Sequence, residues 1–218
     1  YTTAEHLSKN LAAEVSSKTL QLQEQMEVAL RSRQEAESSR AELKDTYEQL
    51  PSLYAGIKND LNVARNIQNA LFPTDSGAIM GLRYRTMYIP LIEVGGDIYD
   101  ICRIGDGVTR FFLAYAMGHG INASLITMLI KAEYEALKLD AADPLKLIRE
   151  LNTLFYRHYR PVARYFTSFL ADIDPAGGRI TYVSSGHPAQ YLVRSGGIIE
   201  LGTTGRAMGF TEHTNCTV

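Results

Sequence analysis

Two glycine-rich stretches carry the residue types that do chemistry. Glu93 to Asp100 reads EVGGDIYD. Gly95 and Gly96 allow close backbone approach, and Asp97 opens a strand and points to one of its faces. Phe111 to Ile126 reads FFLAYAMGHGINASLI, an apolar run that ends in Gly118-His119-Gly120 and re-emerges as a helix. An acid beside a glycine-rich turn at a shared sheet end suits a hard cation, which takes oxygen from carboxylates, carbonyls and water. Gly-Gly-Asp before a strand also serves as a plain turn or bulge, so the pairing of the two stretches matters more than either alone. His119 and His187 both lie in glycine-flanked turns without a Ser, Cys or acid placed as partner. They read as structural or rim residues, not as part of a Ser-His-Asp arrangement.

The elements that must position these residues follow from pattern. Strands Ile98–Ile104 and Val108–Ala116 form a hairpin about Gly105-Asp106-Gly107, which returns Tyr115–Gly120 to the Asp97 end. A helix over Ile121–Leu139 follows, with Asn122 or Ser124 as its cap. A second starts with Asp143 at N-cap and Pro144 at N1 and runs to about Tyr159. Strands Thr167–Asp172, Arg179–Ser184, Ala189–Arg194 and Ile198–Leu201 come after. Strands, two consecutive helices, then strands predict an antiparallel α+β domain, not a parallel βαβ sheet. The window Phe111–Ile130 is about a membrane span in length, but Gly118, His119, Gly120 and Asn122 interrupt it; it reads as a buried strand and helix.

Residues 1 to about 50 contain no Gly and no Pro. From Leu22 one heptad position reads Leu22, Ala29, Ala36, Leu43, Leu50, Ile57, Ala64, Leu71, and its companion Met26, Arg33, Arg40, Tyr47, Tyr54, Leu61, Gln68. One seam is apolar throughout, and two arginines interrupt the other, which predicts a coiled coil of modest stability. Pro51 should start a new helix or kink the old one; Pro73 and Gly77 end it. The expected domains are 1–72, a helical signalling linker, and 73–218. A parallel homodimer through Leu50, Ile57, Leu61, Ala64 and Leu71 stands against a solvated helix packed on its own domain. A net charge of −2 leaves no basic footprint for nucleic acid. Cys102 and Cys216 lack metal spacing and read as free thiols in a reducing compartment. The chain opens mid-helix in character, as a fragment of something longer does.

Four ordered stretches carry a family resemblance: DLNVARNIQNALFP (Asp60–Pro73), YIPLIEVGGDIYDI (Tyr88–Ile101), MGHGINASLITMLIKA (Met117–Ala132) and YVSSGHPAQYLV (Tyr182–Val193). Together they resemble the bacterial SpoIIE/RsbU-type branch of the PPM metal-dependent serine/threonine protein phosphatases. The resemblance implies an αββα sandwich, here C-terminally incomplete, and a two-metal centre of manganese or magnesium. Two such metals activate a water and clamp the oxygens of an in-line displacement on phosphoserine or phosphothreonine. It also implies a cytoplasmic output domain under an upstream sensor, membrane-bound or not. The implied partner is a phosphoprotein such as an anti-sigma-factor antagonist.

Carried over residue by residue, Asp97 falls on the family's first metal-binding and catalytic aspartate, and Ala116 on the residue whose main-chain carbonyl ligates metal. Tyr115 falls on the aspartate that bridges both metals. Gly95, Gly96, Gly118, His119 and Gly120 form the turn and rim. Of the family's four usual acids only Asp97 is matched, and Val218 precedes the family's later Thr-Asp-Gly strand. A phenol has one oxygen where a carboxylate has two, and is neutral at pH 7. Hydrolysis is therefore expected to be weak or absent. A pseudophosphatase that binds without hydrolysing, or a dimeric signal-transmission module, is the alternative. Tyr115 also reads simply as a strand residue with a buried ring and its hydroxyl at the rim.

Overall fold

The computed structural model describes residues 2–73, 76–105, 107–139, 143–161 and 165–218. The chain divides into two units, Tyr1–Lys58 and Asn59–Val218. The division falls before the composition change at 72/73, because Gln68 and Phe72 pack within the second unit.

Helix α1 is assigned over Thr2–Ala70 without interruption, so Pro51 does not begin a new helix. Its missing N–H removes one bond, to the carbonyl of Tyr47, at an exposed stretch open to solvent. Ser52 Oγ donates back to the Gln49 carbonyl at 3.0 Å. The seam residues Leu50 and Ile57 are 57% and 56% exposed, whereas Leu61, Ala64 and Leu71 are partly buried. Arg33 is held within its own helix by Glu37 at 2.9 Å.

In the second unit, β1 (Ser76–Ile79) and β2 (Leu82–Arg85) form a hairpin that sequence reading missed. Its turn residues Met80 and Gly81 both take positive φ, 49° and 83°, with no Asn-Gly or Asp-Gly to signal them. Strands β3 (Asp97–Ile104), β4 (Val108–Ala116), β5 (Phe166–Asp174) and β6 (Arg179–Ser185) form an antiparallel sheet in that order. Helices α2 (Ile121–Leu137) and α3 (Pro144–Tyr159) lie between β4 and β5 in the chain. Among the described residues, strands β7 (Gln190–Arg194) and β8 (Gly197–Leu201) pair only with each other.

Period-2 alternation sorts the sheet into two faces. Phe112, Ala114, Ala116, Leu170 and Val183 are buried with Ile130, Tyr134, Leu147, Leu151 and Phe155 of the helices. Phe112 stacks on Tyr134, centroids 4.1 Å apart at 7°. Arg110 is fully buried in the same layer. Its guanidinium grips Asp172 bidentately at 2.7 and 2.6 Å, and donates to the Lys138 carbonyl at 2.9 Å. Asp100 takes Lys131 at 2.7 Å and Lys138 at 3.2 Å, tying β3 to α2.

Asp143 caps α3 as expected, accepting from the Leu145 amide at 3.0 Å, with Pro144 in the first turn. The cap of α2 is different. It falls on Gly120 at φ 74°, with no side-chain bond, so neither Asn122 nor Ser124 caps. Ser124 already lies inside the first turn, and its hydroxyl donates to the Ile121 carbonyl at 2.9 Å. Cys102 and Cys216 are both free thiols.

Candidate active site

Strand register assembles the site. Asp97 is the cross-strand partner of Tyr115, and Tyr115 that of Thr167. The row lies on the sheet face opposite the helices. His187, just past β6, sets Nδ1 2.9 Å from Thr167 Oγ1. A cavity of about 350 Å³ is lined by Asp97, His187, Tyr88, Tyr99 and Leu113 among others. Next along the same face come Tyr99, Leu113 and Phe169, then Ile101, Phe111 and Ala171. These form the apolar wall of a second cavity, about 480 Å³, closed on the other side by residues of β2, β7 and β8.

Gly96 is needed where it stands. A Cβ there would sit 2.7 Å from the Ala116 carbonyl oxygen and 3.3 Å from that of Gly118. The Ala116 amide returns a bond to the Gly96 carbonyl at 2.7 Å. This close approach joins the Gly-Gly-Asp turn to the Met117–Gly120 turn, as the two stretches together predict. His119 is exposed on that second turn. Tyr115 is 40% exposed, so its ring is not buried, and its hydroxyl donates to the Gly118 carbonyl at 3.3 Å. The β4 alternation turns residue 115 out of the helix-packed layer and onto the open face.

Partial burial at the cleft holds the Asp97 carboxyl above its ordinary range, although the residue remains accessible to solvent. Burial pushes the His187 imidazole down. Burial, then the Asp97 charge, pushes the Tyr88 phenol up to about 12.

Gln68, read as a companion seam position, is instead buried beside the site. Its amide nitrogen donates to the Gly95 carbonyl and to Thr127 Oγ1, both at 2.9 Å. Its oxygen accepts from the Gly95 amide at 3.2 Å and from the Tyr88 hydroxyl at 3.1 Å. Both donors and both lone pairs are therefore used. Phe72 stacks on Tyr99 at 4.7 Å and 8° and tilts against Tyr88. Gln68, Tyr88, Thr167 and His187 went unread as neighbours of Asp97. A polar residue interrupting a heptad was the one available signal.

The row holds one carboxylate, Asp97, with the carbonyls of Ala116 and Gly118 nearby. Among the described residues no three His, Cys, Asp or Glu side chains group as a metal site. This donor set does not fit a two-cation centre, where bridging carboxylates must offset the charge of two divalent ions.

A family model described as "Stage II sporulation protein E (SpoIIE)" matches residues 105–218, more than half of the chain. The chain belongs to the SpoIIE family. This SpoIIE-family domain, of the RsbU-type PPM branch, is 30% identical over 135 residues to phosphoserine phosphatase RsbP of Bacillus subtilis (strain 168), covering 60% of this chain and 33% of that protein. It is 22% identical over 168 residues to phosphoserine phosphatase RsbU of the same organism, covering 76% and 50%. The chain thus spans a third to a half of the length of these curated relatives. Among solved structures, the SiaA-PP2C domain of Pseudomonas aeruginosa aligns at TM-score 0.60 and 21% identity over 74% of this chain and 66% of that one, which shows a shared PP2C-like fold. The SpoIIE-family domain is accordingly of the phosphatase-family signalling type.

Proposed function

We propose that this domain is the output module of a phosphoserine/phosphothreonine protein phosphatase of the manganese- or magnesium-dependent type, acting on a phosphoprotein such as an anti-sigma-factor antagonist. As it stands, the chain hydrolyses weakly or not at all. The observation that carries both halves of this reading is Tyr115 directly opposite Asp97. The strand pair that would hold two acids holds one acid and a phenol. A bound metal pair would supply Lewis-acid activation of water. The residues present do not hold such a pair, and no hydrolytic step is assigned to them. What the chain does provide is a cleft with Asp97 at its mouth, Gly96 drawing the two turns together, and Thr167 orienting His187. Phosphate release from a phosphoserine protein with added manganese tests the reading: turnover by Tyr115→Asp in a chain extended past Val218, but not by the parent, is expected. Robust turnover by the parent chain would overturn it.

Tyr115 also favours a pseudophosphatase that binds a phosphoprotein without cleaving it. Tight phosphoprotein binding, with no metal bound by Tyr115→Asp in a chain extended past Val218, would select that reading.

The exposed apolar seam of α1 supports signal transmission through a parallel homodimer, with α1 as the switch element below an upstream cytoplasmic or membrane-bound sensor. Among the described residues no helix is long and apolar enough to cross a membrane. Light scattering at micromolar concentration tests the pairing. A dimer that Ile57→Asp/Leu61→Asp dissociates supports it, because buried unpaired carboxylates cost several kcal/mol, on the order of 3–5. A monomeric parent would sink it.

A further inference from the structure

The sheet end that carries Asp97, Tyr115 and Thr167 has a second feature. Phe166 and Met208 exchange backbone bonds at 3.0 and 2.8 Å, which lays the segment after Met208 beside the start of β5. Tyr165 stacks on Phe210 there, centroids 4.4 Å apart at 16°. Tyr165 is two residues before Thr167, one strand repeat beyond the Asp97–Tyr115–Thr167 row. Phe210 nevertheless remains 56% exposed.

The loop that presents it is held firmly. Buried Asn152 accepts from the Gly209 amide at 2.9 Å and donates to the carbonyls of Thr211 and Glu212 at 3.0 and 2.8 Å. Arg157 binds Glu212 at 2.6 Å, which neutralises the loop's acid. Two exposed arginines remain. Arg160 lies over the Tyr156 ring at 4.9 Å, and Arg206 has no ion pair among the described residues. A held aromatic pair, Phe210 exposed and Tyr165 partly so, has the makeup of a binding hot spot because its ring area is already ordered. The Arg157–Glu212 bond brings the end of α3, and with it Arg160, to this loop, and Arg206 lies four residues before Phe210, so the nearby charge favours an anionic partner.

We infer that Tyr165 and Phe210, with Arg206 and Arg160, form the docking platform for the segment flanking a phosphorylated serine or threonine. That segment carries an apolar side chain over Phe210 and acidic residues toward the arginines. The inference rests on the phosphoprotein reading above and names what that site grips besides the phosphate.

The test is fluorescence anisotropy with a fluorescein-labelled acidic phosphoserine peptide bearing leucine beside the phosphoserine. Phe210→Ala and Arg206→Glu should each weaken binding at least about tenfold, and Phe210→Tyr should restore it. Circular dichroism checks that each variant is folded. Equal affinity for parent, Phe210→Ala and Arg206→Glu overturns the platform, as does a parent that fails to bind the peptide at millimolar concentration. Phosphate release by Tyr115→Asp in the extended chain is scored separately. Its failure strikes the phosphatase reading, whereas equal peptide affinity of the parent, Phe210→Ala and Arg206→Glu strikes the platform alone.

Discussion

Asp97 and Tyr115 face each other as the first pair of the β3–β4 ladder, with the Tyr115 hydroxyl turned onto the Gly118 carbonyl. Replacing the phenol by a second carboxylate sets like charges directly opposite. Tyr115→Asp should therefore be less stable than the parent in EDTA by roughly 0.5–1 kcal/mol. Manganese should then raise its melting temperature, because a ligand that binds only the folded state stabilises it by mass action. The parent should show neither effect in differential scanning calorimetry.

Gln68 is the only described link in which one side chain joins α1, the Gly95 backbone, Tyr88 and Thr127. Gln68→Leu keeps most of the volume and strands these groups beside an apolar chain. A loss of about 1–3 kcal/mol in urea denaturation is expected. A substitution within 0.3 kcal/mol of neutral would mean that water replaces the clamp.

Arg110 and Asp172 form a fully enclosed bidentate pair. Arg110→Met alone leaves a buried carboxylate and should cost about 3–5 kcal/mol. The double variant Arg110→Met/Asp172→Leu should recover most of that loss. Comparable destabilisation of single and double variants would show that packing, not charge, sets the cost.

His187 titrates below its ordinary value because burial disfavours the imidazolium. The unfolded chain then binds more protons than the folded one around pH 6.5 and below. Stability contributed by the neutral ring is fully present above that pH and is lost as the pH falls through it. His187→Gln should flatten the difference in urea midpoint between pH 7.5 and 5.5. An unchanged difference would remove His187 from the acid response.

Much of the site was legible without coordinates. Asp143-Pro144 set a helix start, and the hairpin about Gly105-Asp106-Gly107 returned Tyr115–Gly120 to the Asp97 end, because capping and tight hairpins are local; the direct pairing of Asp97 with Tyr115 came from the ladder register. The Gly-Gly-Asp and Gly-His-Gly turns announced a close approach by composition alone. What sequence left open was decided by contacts distant along the chain. Gln68 shares the heptad spacing of Leu61, yet it is buried by Gly95 and Thr127, 27 and 59 residues away. Phe210 becomes a platform only because Asn152 holds its loop and Met208 pairs with Phe166. The β1–β2 turn needed a methionine at positive φ, which no local preference predicts. Periodicity assigns each residue a face of its own element. Which partner covers that face is a property of the packed sheet, helices and loops.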